Sequence, residues 1–193
     1  ARGRGECSGF TVPAINIRGL TYDMARAVFR AALRHQVGAL IFEIARSEIG
    51  YTYQRPAEYA HAVMAAAIKE GFSGPLFIQG DHFQASQKNF AKNPQAEVQS
   101  LKDLIKEAIE AEFFNIDIDS STLVDLSKPT VRAQQQDNCE VAAELTAFLR
   151  ALEPKGVSIS VGGEIGEVGG KNSTVEELEA FMAGYREELD KRG

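Results

Sequence analysis

An aspartate followed directly by a histidine, Asp81-His82, closes the short apolar run Pro75-Leu76-Phe77-Ile78-Gln79-Gly80. A carboxylate can take and return a proton, and a neutral imidazole can bind a divalent metal, so the pair offers acid/base work beside a ligand. A run this short, begun by proline and ended by glycine, reads as a buried strand that stops where the polar residues begin. In a parallel α/β sheet that stop is the catalytic end. Taken alone, the pair serves equally well as a cap and an ordinary loop histidine. Other acids follow. Phe113-Phe114-Asn115-Ile116-Asp117-Ile118-Asp119 alternates as a strand does, yet Asp117 and Asp119 suit no wholly apolar environment. A barrel interior or an active-site rim would satisfy one of these carboxylates by hydrogen bonds. Beyond Val161, the stretch Gly162-Gly163-Glu164-Ile165-Gly166-Glu167-Val168-Gly169-Gly170 permits close backbone approach and supplies Glu164 and Glu167 as metal or proton-transfer groups. It is neither the ordered glycine pattern of a dinucleotide site nor a phosphate loop ending in Gly-Lys-Ser/Thr.

The elements that would position these groups recur in a fixed rhythm. Residues 11–17 read as a first strand weakened at its centre by Pro13. Residues 22–35 carry Met24, Ala25, Val28, Ala31, Ala32 and Leu33 on a helical stripe that returns at Gly38. Residues 39–44 form the second strand. A loop from Tyr51 leads to Pro56, which opens a helix running to Glu70. Residues 84–94 are polar and read as a loop, and residues 95–110 form a helix with Val98, Leu101, Leu104, Ile105 and Ile109 at helical spacing. After the fourth strand, a polar link leads into one helix over residues 129–152, then a fifth strand over residues 156–161 and a last helix beginning near Thr174. His35 falls in the terminal turn of its helix and His61 inside another, which gives both a structural role.

Strand and helix thus alternate five times, which favours an α/β fold with parallel strands and right-handed crossovers. Two architectures are open: a doubly wound sheet, or part of a TIM (β/α)8 barrel with about five β/α units present. The polar strand ends favour the barrel, because groups from several strands would converge on one face. The 193 residues, 44% hydrophobic and 25% charged, suffice for a single domain spanning residues 1–193. A formal charge of −6 argues against broad nucleic-acid binding. No apolar stretch approaches the length of a membrane span, and the first residues lack the apolar core of a signal peptide, so the expected setting is cytoplasmic. Cys7 and Cys139 make no metal-binding spacing and are expected to be free thiols.

The chain resembles the class II fructose-bisphosphate and tagatose-bisphosphate aldolases, in a divergent branch. The resemblance runs from Val12-Pro13-Ala14-Ile15-Asn16 through Gly80-Asp81-His82 to Leu123-Val124-Asp125-Leu126-Ser127 and Gly163-Glu164-Ile165-Gly166. It implies metal-dependent aldol cleavage or condensation of a phosphorylated ketose, with dihydroxyacetone phosphate as product or donor. By that resemblance Asp81 is the proton-transfer carboxylate, His82 and Glu164 are metal ligands, Asp125 belongs to an alternative metal position, and Asn16 orients substrate. The implied cofactor is a divalent metal, with zinc first, and the implied setting is carbohydrate metabolism and glycolysis. A homo-oligomer is left open. The family pattern continues with two further histidine ligands and phosphate-binding loops that do not occur before Gly193, and Lys171-Asn172 stand where many relatives carry acids. The chain is therefore expected to be a truncated copy of a longer barrel, incomplete at its C-terminus. The alternative is a non-catalytic tagatose-bisphosphate aldolase subunit or sugar-phosphate-binding protein.

Overall fold

The computed structural model describes residues 6–166 and 171–193. Its five strands, β1 (Ala14–Asn16), β2 (Leu40–Ala45), β3 (Leu76–Gln84), β4 (Asn115–Asp119) and β5 (Ser160–Gly163), form one sheet in the order β1-β2-β3-β4-β5 with every neighbouring pair parallel. A doubly wound sheet reverses its strand order at a switch point. This sheet does not reverse, and sequential parallel strands with intervening helices are the arrangement of a partial (β/α)8 barrel.

The helices are α1 (Thr21–Arg34), α2 (Arg46–Thr52), α3 (Pro56–Glu70), α4 (Gln87–Lys92), α5 (Pro94–Glu110), α6 (Val131–Gln134), α7 (Gln136–Ala151) and α8 (Val175–Asp190). Their apolar stripes meet one face of the sheet. Register places Leu40 beside Leu76, Phe42 beside Ile78, and Ile44 beside Gly80. Leu40, Phe42, Ile44, Ile116 and Ile118 are buried there with Phe29, Tyr59, Val63, Leu101 and Ile105 from the helices. Phe29 contacts both Phe42 and Phe72 at ring-centroid distances of 5.0 Å.

Several expected boundaries move, each for a local reason. The strand expected over residues 11–17 shortens to Ala14–Asn16, since Pro13 has no N–H to pair and enters the ladder only through its carbonyl, which accepts from Ile41. The strand expected to begin at residue 156 begins at Ser160, because Gly156 sits at φ 84° in a turn closed by Val157 N–H to the Pro154 carbonyl. The polar stretch expected to be a loop contains α4, capped by Ser86, whose hydroxyl accepts from Asn89 N–H at 3.3 Å. No element was expected between Ile44 and Tyr51, yet α2 starts directly after β2. There the Glu48 carboxylate accepts the Ala45 N–H at 2.9 Å. The single helix expected over residues 129–152 breaks at buried Gln135 into α6 and α7.

Candidate metal centre

The strand expected to stop at Gly80 continues through Asp81 and His82 to Gln84. What changes at Gly80 is its register. Gly80 lies opposite Ile116 and Phe83 opposite Ile118, so Asp81 and His82 together face the single residue Asp117. This is a β-bulge, made by His82 at φ 43°, a left-handed conformation uncommon for a residue with a side chain. In a regular strand, neighbours point to opposite faces. The bulge removes that alternation and leaves His82 Nε2 only 3.8 Å from Asp81 Oδ1. Phe83 then returns to the buried face, where its ring lies under Gly80; a Cβ at Gly80 would stand 2.5 Å from Phe83 Cζ. Gly80 is thus required for packing, and the packing sets the bulge.

Around this bulge the sheet's other face gathers polar groups from four more strand ends. Asn16 Nδ2 donates to Asp81 Oδ2 at 3.2 Å, and Gln79 Nε2 donates to Glu43 Oε2 at 3.1 Å. Asp117 Oδ2 lies 3.9 Å from His82 Nδ1, and Glu164 Oε1 lies 4.0 Å from the same nitrogen. Gly162 pairs with Asp117 across the sheet, and a Cβ there would come within 2.6 Å of Asp117 Oδ1, so this glycine makes the room that the carboxylate occupies.

Asp119 is the organising acid. Its Oδ1 accepts from Ser121 N–H at 3.2 Å and Ser121 Oγ at 2.7 Å, while its Oδ2 accepts from Gln84 Nε2 at 2.6 Å and stands 3.1 Å from His82 Nδ1. A carboxylate facing a ring nitrogen fixes that nitrogen as the N–H donor, so Nε2 keeps its lone pair for a metal. Burial on its own would lower the His82 pKa; the hydrogen bond to Asp119 and the charges of Asp81, Asp119 and Asp117 outweigh it and raise the pKa. Burial first, and then the charges of Glu164 and Asp119, push Asp117 up to about 6. Burial, Asp119 and Asp81 likewise raise Glu164, and burial with Asp81 raises Glu43.

Among the described residues, Asp81, His82 and Asp117 each offer one ligand atom, all within 4.8 Å of one another. The donor set fits a divalent cation on a further observation: Asp117 Oδ2 is buried without a hydrogen-bond partner, as is Asn16 Oδ1. Buried acceptors of this kind are rare and costly unless a donor, an ordered water or a cation completes them. Beside two further ligand atoms, a cation serves both oxygen and histidine. Of the residues expected from sequence, Asn16, Asp81, His82 and Glu164 converge here. Asp125 stands apart, its exposed carboxylate accepting from Ser127 N–H at 3.0 Å and Ser127 Oγ at 2.6 Å and pairing with Lys128 at 3.5 Å. Those Ser127 hydrogen bonds hold its pKa low. Glu167 lies outside the described residues. Sequence reasoning gave no role to Glu43, Gln79 or Gln84; it marked Asp117 and Asp119 as strand acids suited to a barrel interior or an active-site rim, without assigning either a ligand or a partner.

Beside His82 a polar cavity of about 550 Å3 opens between Arg46, Ser47, Gln84, Ser86, Ser121 and Thr122. Among solved structures the chain is similar to a probable tagatose 6 phosphate kinase from Sinorhizobium meliloti 1021, with a TM-score of 0.67 at 17% identity. The match covers 95% of this chain and 46% of that one, a likeness of fold in which the chain spans less than half of its neighbour's length. A comparison with curated protein sequences gave no match. Sequential parallel strands whose ends converge on Asp81, His82 and Glu164 accord with a match to the family model for class-II fructose-bisphosphate aldolases over residues 4–189, and the chain belongs to that family.

Proposed function

We propose that this chain carries the proton-transfer and metal-binding part of an aldolase site that cleaves or forms a carbon–carbon bond in a phosphorylated ketose, with dihydroxyacetone phosphate as product or donor. The observation that carries the reading is the unpartnered, buried Asp117 oxygen within ligand reach of Asp81 and His82. A divalent metal, zinc first, would be held by His82 with Asp117 and Glu164 and would draw charge from a carbonyl oxygen, the assistance an aldol reaction needs. In the cleavage direction the Asp81 carboxylate takes the proton from the hydroxyl on the carbon that becomes an aldehyde, while the electron pair of the breaking bond passes toward the ketone half. In condensation it returns that proton. Asn16 Nδ2, bonded to Asp81 Oδ2, holds the carboxylate in orientation, which supports a role for Asn16 in orienting substrate. The polar cavity beside His82 falls within the range of roughly 300–1,000 Å3 usual for small-molecule sites. Asp125 enters the reading as an alternative metal position, reached by giving up its bonds to Ser127.

The test uses the protein as expressed from its gene, with zinc measured after gel filtration and ketose-bisphosphate cleavage followed alongside circular dichroism. Asp81→Ala is expected to keep most of its zinc and lose at least about tenfold in turnover. His82→Ala is expected to lose zinc first. Normal turnover by folded Asp81→Ala, or unchanged zinc in folded His82→Ala, would defeat the corresponding role. The closeness of Asp81 to the other two donors supports a second reading in which it is itself a ligand. Loss of zinc in Asp81→Ala favours that reading. Metal-loaded, folded protein that turns over no phosphorylated ketose favours a non-catalytic sugar-phosphate-binding subunit.

A further inference from the structure

We propose that Asn138 and Gln135 are positioning residues that aim Glu164 at the metal centre from behind the sheet. The proposal rests on the aldolase reading above. Asn138 is 0% exposed and Gln135 1%, both at the start of α7 where the expected long helix breaks. Two fully buried carboxamides in one turn call for partners, and the partners share one location. Asn138 Nδ2 donates to the Glu164 carbonyl at 2.9 Å and to Gln135 Oε1 at 2.9 Å, and Gln135 Nε2 donates to the Ile165 carbonyl at 2.7 Å. Two successive carbonyls leaving β5 are therefore gripped by two amides from one helix turn.

The grip fixes orientation as well as place. A carbonyl held by a directional donor sets the rotation of its peptide plane, and the planes on either side of a residue set where its side chain departs. Apolar side chains of the same volume would fill the space and leave those planes free. The other end of the bracket reaches the histidine's support. Asn138 Oδ1 accepts from Ser120 Oγ at 2.6 Å, and Ser120 directly follows Asp119, whose carboxylate holds His82 Nδ1. One buried network thus ties the end of β4, which orients His82, to the exit of β5, which launches Glu164. A metal ligand must be held within about 0.5 Å of its productive place, and hydrogen bonds to the backbone that carries it are what supply that tolerance.

Zinc affinity by competition titration and the carbonyl carbon resonances of Glu164 and Ile165 in metal-free protein test the bracket separately from turnover. Asn138→Ala and Gln135→Ala are compared in two backgrounds, native and Glu164→Gln. The expected result is a shifted Glu164 or Ile165 carbonyl resonance and a loss of roughly 10–100-fold in zinc affinity, the range for groups that orient ligands. In the Glu164→Gln background the same changes should cost less than about threefold, because the residue being aimed no longer binds. Equal losses in both backgrounds would mark the network as structural only and overturn the proposal. Unchanged zinc affinity in the folded variants would overturn it as well. Gln135→Ala, which removes the grip on Ile165 at the edge of the helix, carries the test if Asn138→Ala does not fold. Unchanged zinc binding in His82→Ala removes the metal centre itself, and the carbonyl resonances distinguish that failure from failure of the bracket.

Discussion

The two faces of the same five strands follow opposite rules. Along β2, Leu40, Phe42 and Ile44 are at most 2% exposed, while Ile41 and Glu43 between them stay partly open. Along β3, Ile78 is 7% exposed and its neighbour Phe77 43%. The first set packs on helices and is chosen for volume. Among the described residues, Ile41 and Phe77 of the second set lie outside the buried core, and register lines up Asn16, Glu43, Gln79 and Asn115 across this face. Toward the C-terminal strand ends this face is acidic, with Asp81, Asp117 and Asp119. Toward the other end it is apolar, with Ile41 and Phe77 beside Phe10, Val12 and Val37 around a cavity of about 850 Å3. Burial against helices fixes where the strands lie, and the face released from that duty is where unfavourable groups accumulate. The bulge at His82 joins the two, since Phe83 seals the packed face at the point where Asp81 and His82 turn together onto the open one.

The sharpest way to break this contrast is to remove volume from the packed face. Phe42 is fully buried against Phe29, and Phe42→Ala should destabilise the chain by about 3–5 kcal/mol, the cost of lost transfer plus a cavity. Urea unfolding followed by circular dichroism measures it. A loss below about 1 kcal/mol would mean that the packed face collapses around the hole and carries less of the fold than its burial indicates.

The packed face was legible in the sequence, and much of the open face was not. Helical stripes such as Val98, Leu101, Leu104, Ile105 and Ile109 come from a period that burial enforces, and α5 lies where they predict. Asp81-His82 was recognisable as a pair that could do chemistry. The mutual direction of the two side chains was not, because it depends on one left-handed residue held by a phenylalanine packed under a glycine. The support of His82 by Asp119 joins residues 37 apart and follows from the register between β3 and β4, which no local pattern encodes. Asp117 showed itself only as an apparent error, an acid in a strand. Asp125 shows the converse: a recognisable short motif, in a place where Ser127 and Lys128 already occupy its carboxylate.

A smaller effect of opposite sign is expected on the open face. Asp117 has its pKa raised to about 6 from 3.8, first by burial and then by neighbouring acids. A carboxyl whose folded pKa is raised contributes stability that is complete below its unfolded pKa and is lost as pH rises through the folded value. The window is therefore pH 3.8 to about 6. Above it, Asp117→Asn should be more stable than the parent by about 1–2 kcal/mol after allowing for water on the partly open side, and near pH 4 the two should converge. Zinc should reverse the order at neutral pH by stabilising the parent and not the variant, and parental zinc affinity should rise with pH through about 6 as Asp117 loses its proton. Urea midpoints against pH, with and without zinc, follow both. A variant less stable than the parent at pH 8 without metal would show that the acid is satisfied by something other than a cation.

The least effect belongs to the apolar end of the open face, and it sharpens the comparison because the residue type is held constant. Phe77 and Phe42 are both phenylalanines on central strands, one residue out of phase across the register: Phe77 pairs with Ile41, and Phe42 with Ile78. Phe77 is 43% exposed and Phe42 0%. An aromatic ring that already keeps much of its surface in water gives up little transfer free energy when it is truncated, and no enclosed cavity remains to add to the cost. Phe77→Ala should therefore change the unfolding free energy of this chain by less than about 1 kcal/mol, several times less than Phe42→Ala, and should leave zinc affinity unchanged because the acidic cluster lies at the other end of the face. Urea unfolding at two protein concentrations measures it. A cost for Phe77→Ala that matches Phe42→Ala, and grows with protein concentration, would show that the open face is covered in solution, and the difference between the two faces would then be one of partner and not of exposure.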